Sequence, residues 1–540
     1  MPWKNLTATE KDLGQALNAF DWKRAGEIVH DLIEEIRSRE DPAPEALAKG
    51  MLGKLRRKRR LGMLAALAEA LIESGQQAAQ VRRQYAQALI DFGYLAPAER
   101  MLEALVQDAK GTAEEDEARG LIGRIHKQTY VNNRASRCQR NRLHLERAIA
   151  EYLYAYRLRP ETNLWHGINV VALAEMARRD GARKQGLPDS KALAKEMLDV
   201  LERRQAGSAE GLSTWDLATA MEARLALGDF KTATELALDY TESANADAFE
   251  INSTLRQLTE VWELTASKPP GSRLLPILRA ALVRRQGSTL QIDAGQAKAD
   301  AKPDVVPGLE KVFEAGRFQT LKWYQLGLER AKSVARIERP DGRGFGTGWL
   351  VKADDFFPDQ PDQKAKLLVV TNHHVISDPP YLGAALRPDQ ARVHFQMLDL
   401  LLEVDKIVWS SPPGECDATF VSLKKKPGDA QPLELANAEV KMAEPAPRLY
   451  VIGHPGGRDL EFSLEDTQLV GANQRLLHYR TPTEGGSSGS PVFEDLEWKV
   501  VALHHAGNTE MKRLDKKKGV YEANEGITVQ CIQKTIAKKG

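Results

Sequence analysis

The sequence has few cysteines, no excess of charge of either sign and no long apolar run. Its 540 residues include three cysteines, an odd number, scattered along the chain. This usage argues against a disulfide framework and is typical of a reducing compartment, so a cytoplasmic protein is predicted. None of the three has another ligand at metal-binding spacing. We interpret them as core residues and predict neither a metal site nor a cofactor.

The charges are balanced, because 76 Lys and Arg side chains against 75 Asp and Glu leave a formal net charge of +1. The chain as a whole therefore has no electrostatic attraction to nucleic acids or membranes. Residues Met1–Thr7 lack the apolar core of a signal peptide, and no run is long enough to span a bilayer. No membrane partner is predicted. The length predicts two or three domains.

Residues 1 to about 290 carry apolar side chains at helical spacing, in repeated helix–turn–helix units. These units resemble tetratricopeptide repeats, with small residues where helices touch. Such units cannot bury their faces alone, so they stack into a solenoid, for which a regulatory protein partner is predicted. A plain helical bundle is the alternative. Four units carry the pattern: Ala16–Ala25, Tyr85–Leu102, Arg147–Pro160 and Trp215–Ala233.

The basic run Lys54–Arg60 is the one stretch that suggests nucleic-acid binding. No aromatic residue is interleaved with it and the chain is nearly neutral, so we interpret it as a solvated helix face. Nucleic acid is therefore not a predicted partner. A nucleic-acid-sensing regulatory protein stays open as an alternative function.

The helical pattern is lost over residues 286–307, where Ala, Lys, Asp and Pro predict a linker. A helix over Leu321–Ala331 follows, and then short β-branched runs separated by Gly and Pro turns, which predict a β-barrel or sandwich pair. The predicted domains are 1–290, a helical-repeat domain; 291–332, a linker with a bracing helix; and 333–540, an all-β domain.

The stretch Gly486–Pro491 has a serine, Ser488, on a tight glycine turn. A hydroxyl in that position is a candidate nucleophile, and the N–H groups of the turn can face an oxyanion. A simple Gly/Ser turn is the alternative. His374 follows a buried strand and Asp417 enters another, which suits a base and the carboxylate that orients it. The order His374, Asp417, Ser488 is that of chymotrypsin-type peptidases.

Residues from about 333 to 540 resemble a trypsin-like serine peptidase of the bacterial glutamyl-endopeptidase type. The resemblance implies a multidomain fold with a double β-barrel of chymotrypsin type after the all-α repeats. It also implies that Ser488 is the nucleophile, His374 the base and Asp417 its orienter, with the N–H groups of Gly486 and Ser488 as oxyanion hole. Seven segments carry the likeness: Gly344–Val351, Thr371–His374, Asp417–Phe420, Gly453–Gly457, Gly486–Pro491, Val501–Gly507 and Asn524–Ile527.

The resemblance also predicts the substrate-binding residues. In the glutamyl-endopeptidase branch, a threonine five residues before the nucleophile and a histidine on a later strand bind an acidic side chain. These positions are Thr483 and His504, so cleavage after Glu or Asp is predicted. His505 is adjacent, and a shift of one residue would exchange the two imidazoles. The strand edge at Ala506 and Gly507 is predicted to pair with substrate backbone.

Regulation is predicted to act through the repeats. Ser487 replaces the aspartate that pairs with a new N-terminus when trypsin is activated, and no Ile-Val-Gly-Gly-type terminus precedes the barrel. We therefore predict a serine endopeptidase that cleaves protein substrates under the control of a bound partner or signal. Proteases with such repeats resemble components of bacterial self/non-self response systems, which suggests defence. A catalytically silent, peptide-binding scaffold is a further alternative.

Overall fold

The computed structural model describes residues 6–18, 22–58, 60–135, 138–181, 187–208, 211–243, 245–284, 294–301, 319–364, 366–444, 446–463, 467–481, 483–514 and 520–539. The chain divides into two compact units, Met1–Thr265 and Ala266–Gly540. Within the described residues, no helix is both long enough and apolar enough to cross a membrane.

The first unit is helical throughout its described residues, and most consecutive helices pack against one another. This confirms the predicted all-α repeat region. The last helix runs directly into a π-helix, Gln257–Val261. The helices are α1 Leu6–Asn18, α2 Trp22–Arg37, α3 Glu45–Arg57, α4 Leu61–Glu73, α5 Ala79–Asp91, α6 Leu95–Asp108, α7 Ala113–Asn132, α8 Gln139–Leu158, α9 Leu164–Arg179, α10 Ser190–Ala206, α11 Thr214–Leu227, α12 Phe230–Glu242 and α13 Ala248–Arg256.

Small residues allow the central helices to approach closely. A Cβ added at Gly123 of α7 would lie 2.9 Å from the Tyr152 ring of α8, and one at Gly167 of α9 would lie 2.7 Å from the Tyr156 ring. Both tyrosines are fully buried. Alanine at either glycine would therefore force the large rings out of the interface between α7, α8 and α9.

In the described part of the second unit, three helices precede the first strand: α14 Gly271–Arg284, α15 Ala294–Asp300 and α16 Gln319–Ala331. Arg279 of α14 forms a buried ion pair with Asp300 of α15 at 2.7 Å, and the Tyr324 hydroxyl of α16 donates to the same carboxylate at 3.0 Å. These contacts place α14 with the second unit, so the division at Thr265 falls earlier than the boundary set from sequence at 290. Of the predicted linker, residues 285–293 and 302–318 lie outside the described residues, whereas Ala294–Asp300 is helical.

The first β-sheet is a closed barrel with strand order β1-β2-β3-β6-β5-β4. Its core is formed by apolar side chains that alternate along the strands, such as Ile337, Leu350, Val369 and Val421. The strands are β1 Val334–Glu338, β2 Gly344–Lys352, β3 Leu367–Thr371, β4 Arg392–Phe395, β5 Leu400–Ser411 and β6 Ala418–Leu423.

The second β-sheet has seven strands in the order β8-β7-β11-β12-β13-β10-β9. A bridge between Arg448 and Gln468 brings its β9 end back towards β7. Barrel and half-barrel together form the chymotrypsin-like fold that the sequence predicted. The strands are β7 Leu449–Gly453, β8 Glu461–Ser463, β9 Leu469–Ala472, β10 Leu476–Tyr479, β11 Pro491–Glu494, β12 Val500–Lys512 and β13 Val520–Thr528, followed by helix α17 Val529–Lys539.

The three cysteines differ in exposure. Cys416 is buried, and its thiol donates to the Thr535 hydroxyl at 3.2 Å, whereas Cys531 is half-buried. Cys138 is exposed. The prediction that all three are core residues is therefore wrong for Cys138, which immediately precedes the first residue of α8.

Candidate active site

His374 lies in a tight turn directly after β3. The N–H groups of Val375 and Ile376 both donate to the carbonyl of Asn372 at 3.1 Å, which fixes the turn. The His374 side chain is 31% exposed, so its imidazole is at the surface of the barrel. The adjacent His373 points elsewhere, with Nδ1 2.7 Å from the Ser410 hydroxyl.

Asp417 lies immediately before β6 and orients the His374 ring. Its side chain is 1% exposed, and its backbone has a φ of +41°, a conformation that aspartate tolerates better than most residues. Oδ2 is 2.7 Å from His374 Nδ1, and Oδ1 accepts from the His374 backbone N–H at 3.2 Å. Because an ionised carboxylate only accepts, Nδ1 carries the proton and Nε2 presents a lone pair. Burial opposes ionisation of Asp417, but hydrogen bonds from His374 and His505 hold its pKa below the usual range.

His505 is a second imidazole on the same carboxylate. The pairing of β12 with β13 shifts register between His504 and Ala506, so His505 is the extra residue of a bulge and leaves the ladder. Its Nδ1 lies 3.2 Å from Asp417 Oδ2, and its Nε2 lies 2.7 Å from Glu525 Oε1. Both contacts require an N–H, so the ring is an imidazolium. Burial opposes this charge, but the two carboxylates raise the pKa of His505 to about 9.

The network continues into the half-barrel. Glu525 Oε2 lies 2.6 Å from Nε2 of His478, its cross-strand partner on β10, and His478 Nδ1 lies 2.9 Å from the Tyr521 hydroxyl. Although burial works against it, hydrogen bonds from His478 and His505 lower the pKa of Glu525 to about 2. The carboxylates of Asp417 and Glu525 thus alternate with the imidazole rings of His505 and His478 in one hydrogen-bonded chain. Sequence reasoning gave Glu525 and His478 no role, because only the strand register shows that they are paired.

The Ser488 turn is tied to the first barrel through Thr347 of β2. The Thr347 N–H donates to the Ser488 carbonyl at 2.8 Å, and its hydroxyl donates to the Gly486 carbonyl at 2.9 Å. Thr371, three residues before His374, donates to the Thr347 carbonyl at 2.6 Å. Gly489 has a φ of +88°, and a Cβ there would lie 2.1 Å from that carbonyl oxygen. Glycine is therefore required after the serine, and the serine and histidine turns meet on the same threonine.

The backbone around Ser488 offers two N–H donors. The Gly485 carbonyl accepts from the Gly456 N–H. Since C=O and N–H point in opposite directions in a trans peptide, the Gly486 N–H points away from that loop. Among the described residues, the Gly486 and Ser488 N–H groups donate to no backbone acceptor. Two such donors on a glycine turn can bind an oxyanion.

Two of the substrate-binding residues predicted from sequence, Thr483 and Gly507, lie against Asn524. The Thr483 hydroxyl donates to Asn524 Oδ1 at 2.8 Å, and a Cβ on Gly507 would lie 2.2 Å from that oxygen. His504 is 4% exposed and contacts the Tyr479 hydroxyl at 2.8 Å through Nδ1. Burial, with a smaller contribution from the charge of His505, lowers the pKa of His504 to about 3, so this imidazole is neutral.

The edge of β12 next to the serine turn has room for another strand. The pairing of β11 with β12 ends at Leu503, while β13 continues along the other edge of β12 past Ala506 and Gly507. Both residues have accessible surface. In the described part of the half-barrel, no strand pairs with the β11-side edge of β12 beyond His504. An extended peptide can therefore add to this edge.

Comparisons with known proteins agree with this architecture. Residues 346–503 match the trypsin-like peptidase domain family, and residues 60–174 match the tetratricopeptide repeats–sensor family. The chain is similar to the uncharacterized protein y4fB of Sinorhizobium fredii, at 26% identity over 219 residues, which are 36% of this chain and 31% of that protein. It thus spans about a third of the length of that relative. The chain carries a trypsin-like peptidase domain and N-terminal tetratricopeptide sensor repeats.

Proposed function

We propose that this chain, with a trypsin-like peptidase domain and sensor repeats, is a serine endopeptidase that uses Ser488, His374 and Asp417. The observation that carries the proposal is the 2.7 Å contact between His374 Nδ1 and the buried Asp417 carboxylate. A base oriented in this way has its free Nε2 available for a serine hydroxyl.

The reaction proceeds by acyl transfer. His374 Nε2 takes the proton of the Ser488 hydroxyl as its oxygen attacks the peptide carbonyl, and the Gly486 and Ser488 N–H groups bind the oxyanion that forms. The imidazolium then gives its proton to the departing amine. The acyl group of the substrate is then an ester of Ser488. A water molecule, deprotonated by His374, hydrolyses this ester, which releases the new carboxyl end and restores the Ser488 hydroxyl. The substrate backbone lies along the β12 edge at Ala506–Gly507, which holds the scissile bond at the serine.

The proposed preference is for Glu, and secondarily Asp, before the scissile bond. The Thr483 hydroxyl and the His504 imidazole are the groups assigned to the acidic side chain. Because His504 is neutral, it brings no positive charge to the carboxylate. We therefore expect Glu to be favoured over Gln by about tenfold rather than by several orders of magnitude.

The repeats are proposed to sense a partner protein or a signal that controls cleavage in a bacterial cytoplasm, as part of a defence response. The match of residues 60–174 to a sensor family supports the sensing role. The similarity to a Sinorhizobium fredii protein supports a bacterial setting.

The test uses the full-length chain, Ser488→Ala and Ser487→Ala. Ser487 is the matched control, since it is the adjacent serine and is 2% exposed. Fluorophosphonate should label the wild type and Ser487→Ala but not Ser488→Ala, and peptide cleavage should follow the same pattern. Labelling without cleavage indicates a formed site that awaits its signal. Labelling that persists in Ser488→Ala would exclude Ser488 as the nucleophile.

Specificity is tested with peptides that differ only in the residue before the scissile bond. Glu should exceed Gln in kcat/KM, and Thr483→Val should reduce this ratio while leaving Gln cleavage within about threefold. Equal cleavage of the Glu and Gln peptides by the wild type would refute the acidic preference but leave the triad proposal intact.

A further inference from the structure

The helical-repeat unit contains an open cavity of about 580 Å³, within the size range of small-molecule sites. Its lining comes mainly from alternate helices, α3, α5, α7, α9, α11 and α13, so it occupies the inner face of the repeats. The cavity lies within the first unit and is separate in sequence from every residue of the peptidase site.

The end of the repeat unit contacts its middle and forms one side of this cavity. Lys127 Nζ of α7 donates to Gln257 Oε1 of the π-helix at 2.9 Å, although 130 positions separate the two residues. Arg256 donates to the Gln128 side chain at 2.8 Å. A π-helix is rare and frequently marks a functional site. The side formed by α13 favours a compact ligand over an extended peptide lying along an open solenoid.

The cavity wall has more basic than acidic side chains. Four of the basic residues pair with carboxylates, namely Arg83 with Glu114, Arg124 with Asp91, Arg204 with Asp216 and Arg256 with Glu260. Glu222 accepts from the Trp262 indole N–H at 2.8 Å, and burial raises the pKa of Glu222 to about 7. The six basic residues are Arg56, Arg83, Arg124, Lys127, Arg204 and Arg256, and the four acidic ones are Glu117, Asp216, Glu222 and Glu260.

Lys127 shows most directly that a counter-ion is missing. Besides Gln257, its ammonium group donates to Asn169 Oδ1 at 2.8 Å, so both oxygens belong to neutral amides. In the part of the chain that the structure describes, no carboxylate forms an ion pair with it. Desolvation by the surrounding protein lowers the pKa of Lys127 to about 7. A bound anion would relieve this effect on Lys127.

Two tryptophans line the same cavity, Trp165 of α9 and Trp215 of α11. Trp215 is 39% exposed, so part of its ring is accessible to a ligand in the cavity. Indole faces stack on nucleobases, and arginine and lysine bind phosphates. The buried Asn169 amide and the Gln87 side chain add groups that can hydrogen-bond to a base or sugar.

We propose that this cavity binds a nucleotide, with its phosphates at the basic wall formed by Arg56, Arg124 and Lys127 and its base at a tryptophan face. The site defines the signal of the sensor repeats as a small phosphorylated molecule. It does not depend on the peptidase proposal, because its test measures binding.

The test is isothermal titration calorimetry on the full-length chain with ATP, GTP and cyclic di-AMP, and with adenosine and tripolyphosphate as partial ligands. At least one nucleotide should bind, and each partial ligand should bind at least about tenfold more weakly, since each engages one half of the site. Lys127→Met should weaken nucleotide binding at least about tenfold, by removing the ammonium group while keeping the length of the side chain.

Arg56→Met and Arg57→Met form a matched pair on one helix, because Arg56 lines the cavity and the exposed Arg57 does not. Only Arg56→Met should weaken binding. Trp215→Ala should weaken the binding of nucleotides more than the binding of tripolyphosphate. The melting temperature of this variant without ligand reports whether it folds. The proposal is refuted if no nucleotide binds, if tripolyphosphate binds as tightly as ATP, or if Arg56→Met and Arg57→Met bind alike. Competition by a polyglutamate peptide without any nucleotide binding would assign the cavity to a protein partner.

Discussion

Each unit of the molecule contains a cation with little access to water. The hydrogen-bond partners of one cation are charged carboxylates, and those of the other are neutral amides. His505 in the peptidase unit lies between two carboxylates, those of Asp417 and Glu525. Lys127 in the repeat unit contacts two amide oxygens, those of Asn169 and Gln257. Accordingly the pKa of His505 is raised to about 9 and that of Lys127 is lowered to about 7.

The difference indicates what each unit is built to do. In the peptidase site the charges are balanced within the protein, so its groups are oriented before a substrate arrives, as electrostatic catalysis requires. In the repeat cavity the buried Lys127 ammonium group has neutral amide oxygens as its hydrogen-bond partners, which weakens the empty state and favours an anionic ligand. Changes to either set of partners test this contrast.

The largest effect is expected for Asp417→Asn. It removes the charge shared by His374 and His505 and presents an amide that does not fix the His374 tautomer, so kcat should fall by about 10⁴. Glu525→Gln is the control, because it neutralises the far end of the same network without touching His374. Steady-state kinetics on a cleaved peptide measures both. A loss of less than tenfold in Asp417→Asn would show that Asp417 does not orient the base.

His505→Gln should lower the stability of the peptidase unit. The folded-state pKa of His505 is raised, so its contribution is fully present below its unfolded pKa of about 6.5 and is lost as pH rises through about 9. At pH 6 the loss is at most about 3 kcal/mol of unfolding free energy, from a shift of two to three pKa units. Urea denaturation between pH 6 and 10 measures it. An equal difference between variant and wild type across this range would contradict the assigned charge.

Lys127→Met should raise the stability of the repeat unit, which is opposite to the effect of His505→Gln on the peptidase unit. Its folded-state pKa is lowered by burial, and the nearby charges of Arg124, Glu222, Arg256 and Glu260 oppose one another. The unfolded chain therefore binds more protons near pH 7, and the stability of the wild type rises with pH from about 7 to about 10. The variant should melt a few degrees above the wild type at pH 7, with the difference shrinking towards pH 10. Calorimetric melting without ligand measures this; a variant that melts lower at pH 7 would contradict the missing counter-ion.

The contrast also shows what the sequence could predict. Local signals were enough for the helical repeats, the strand-rich half and the order of His374, Asp417 and Ser488, because each depends on periodicity or on a short motif. His505 was considered only as an alternative to His504, since a bulge that turns it towards Asp417 leaves no mark in the sequence. The cavity was not predicted either. Its six basic residues come from five helices, and the return of α13 to α7 depends on the accumulated curvature of the whole array.

That return also affects how the repeat unit folds. An open solenoid contacts only neighbouring repeats, so it can fray from its ends and fold in steps. Here the bonds from Gln257 to Lys127 and from Arg256 to Gln128 join residues more than 120 positions apart. The last helix therefore cannot leave without breaking contacts in the middle of the array. The repeat unit should unfold in one cooperative transition, with slow, topology-limited refolding, rather than one repeat at a time.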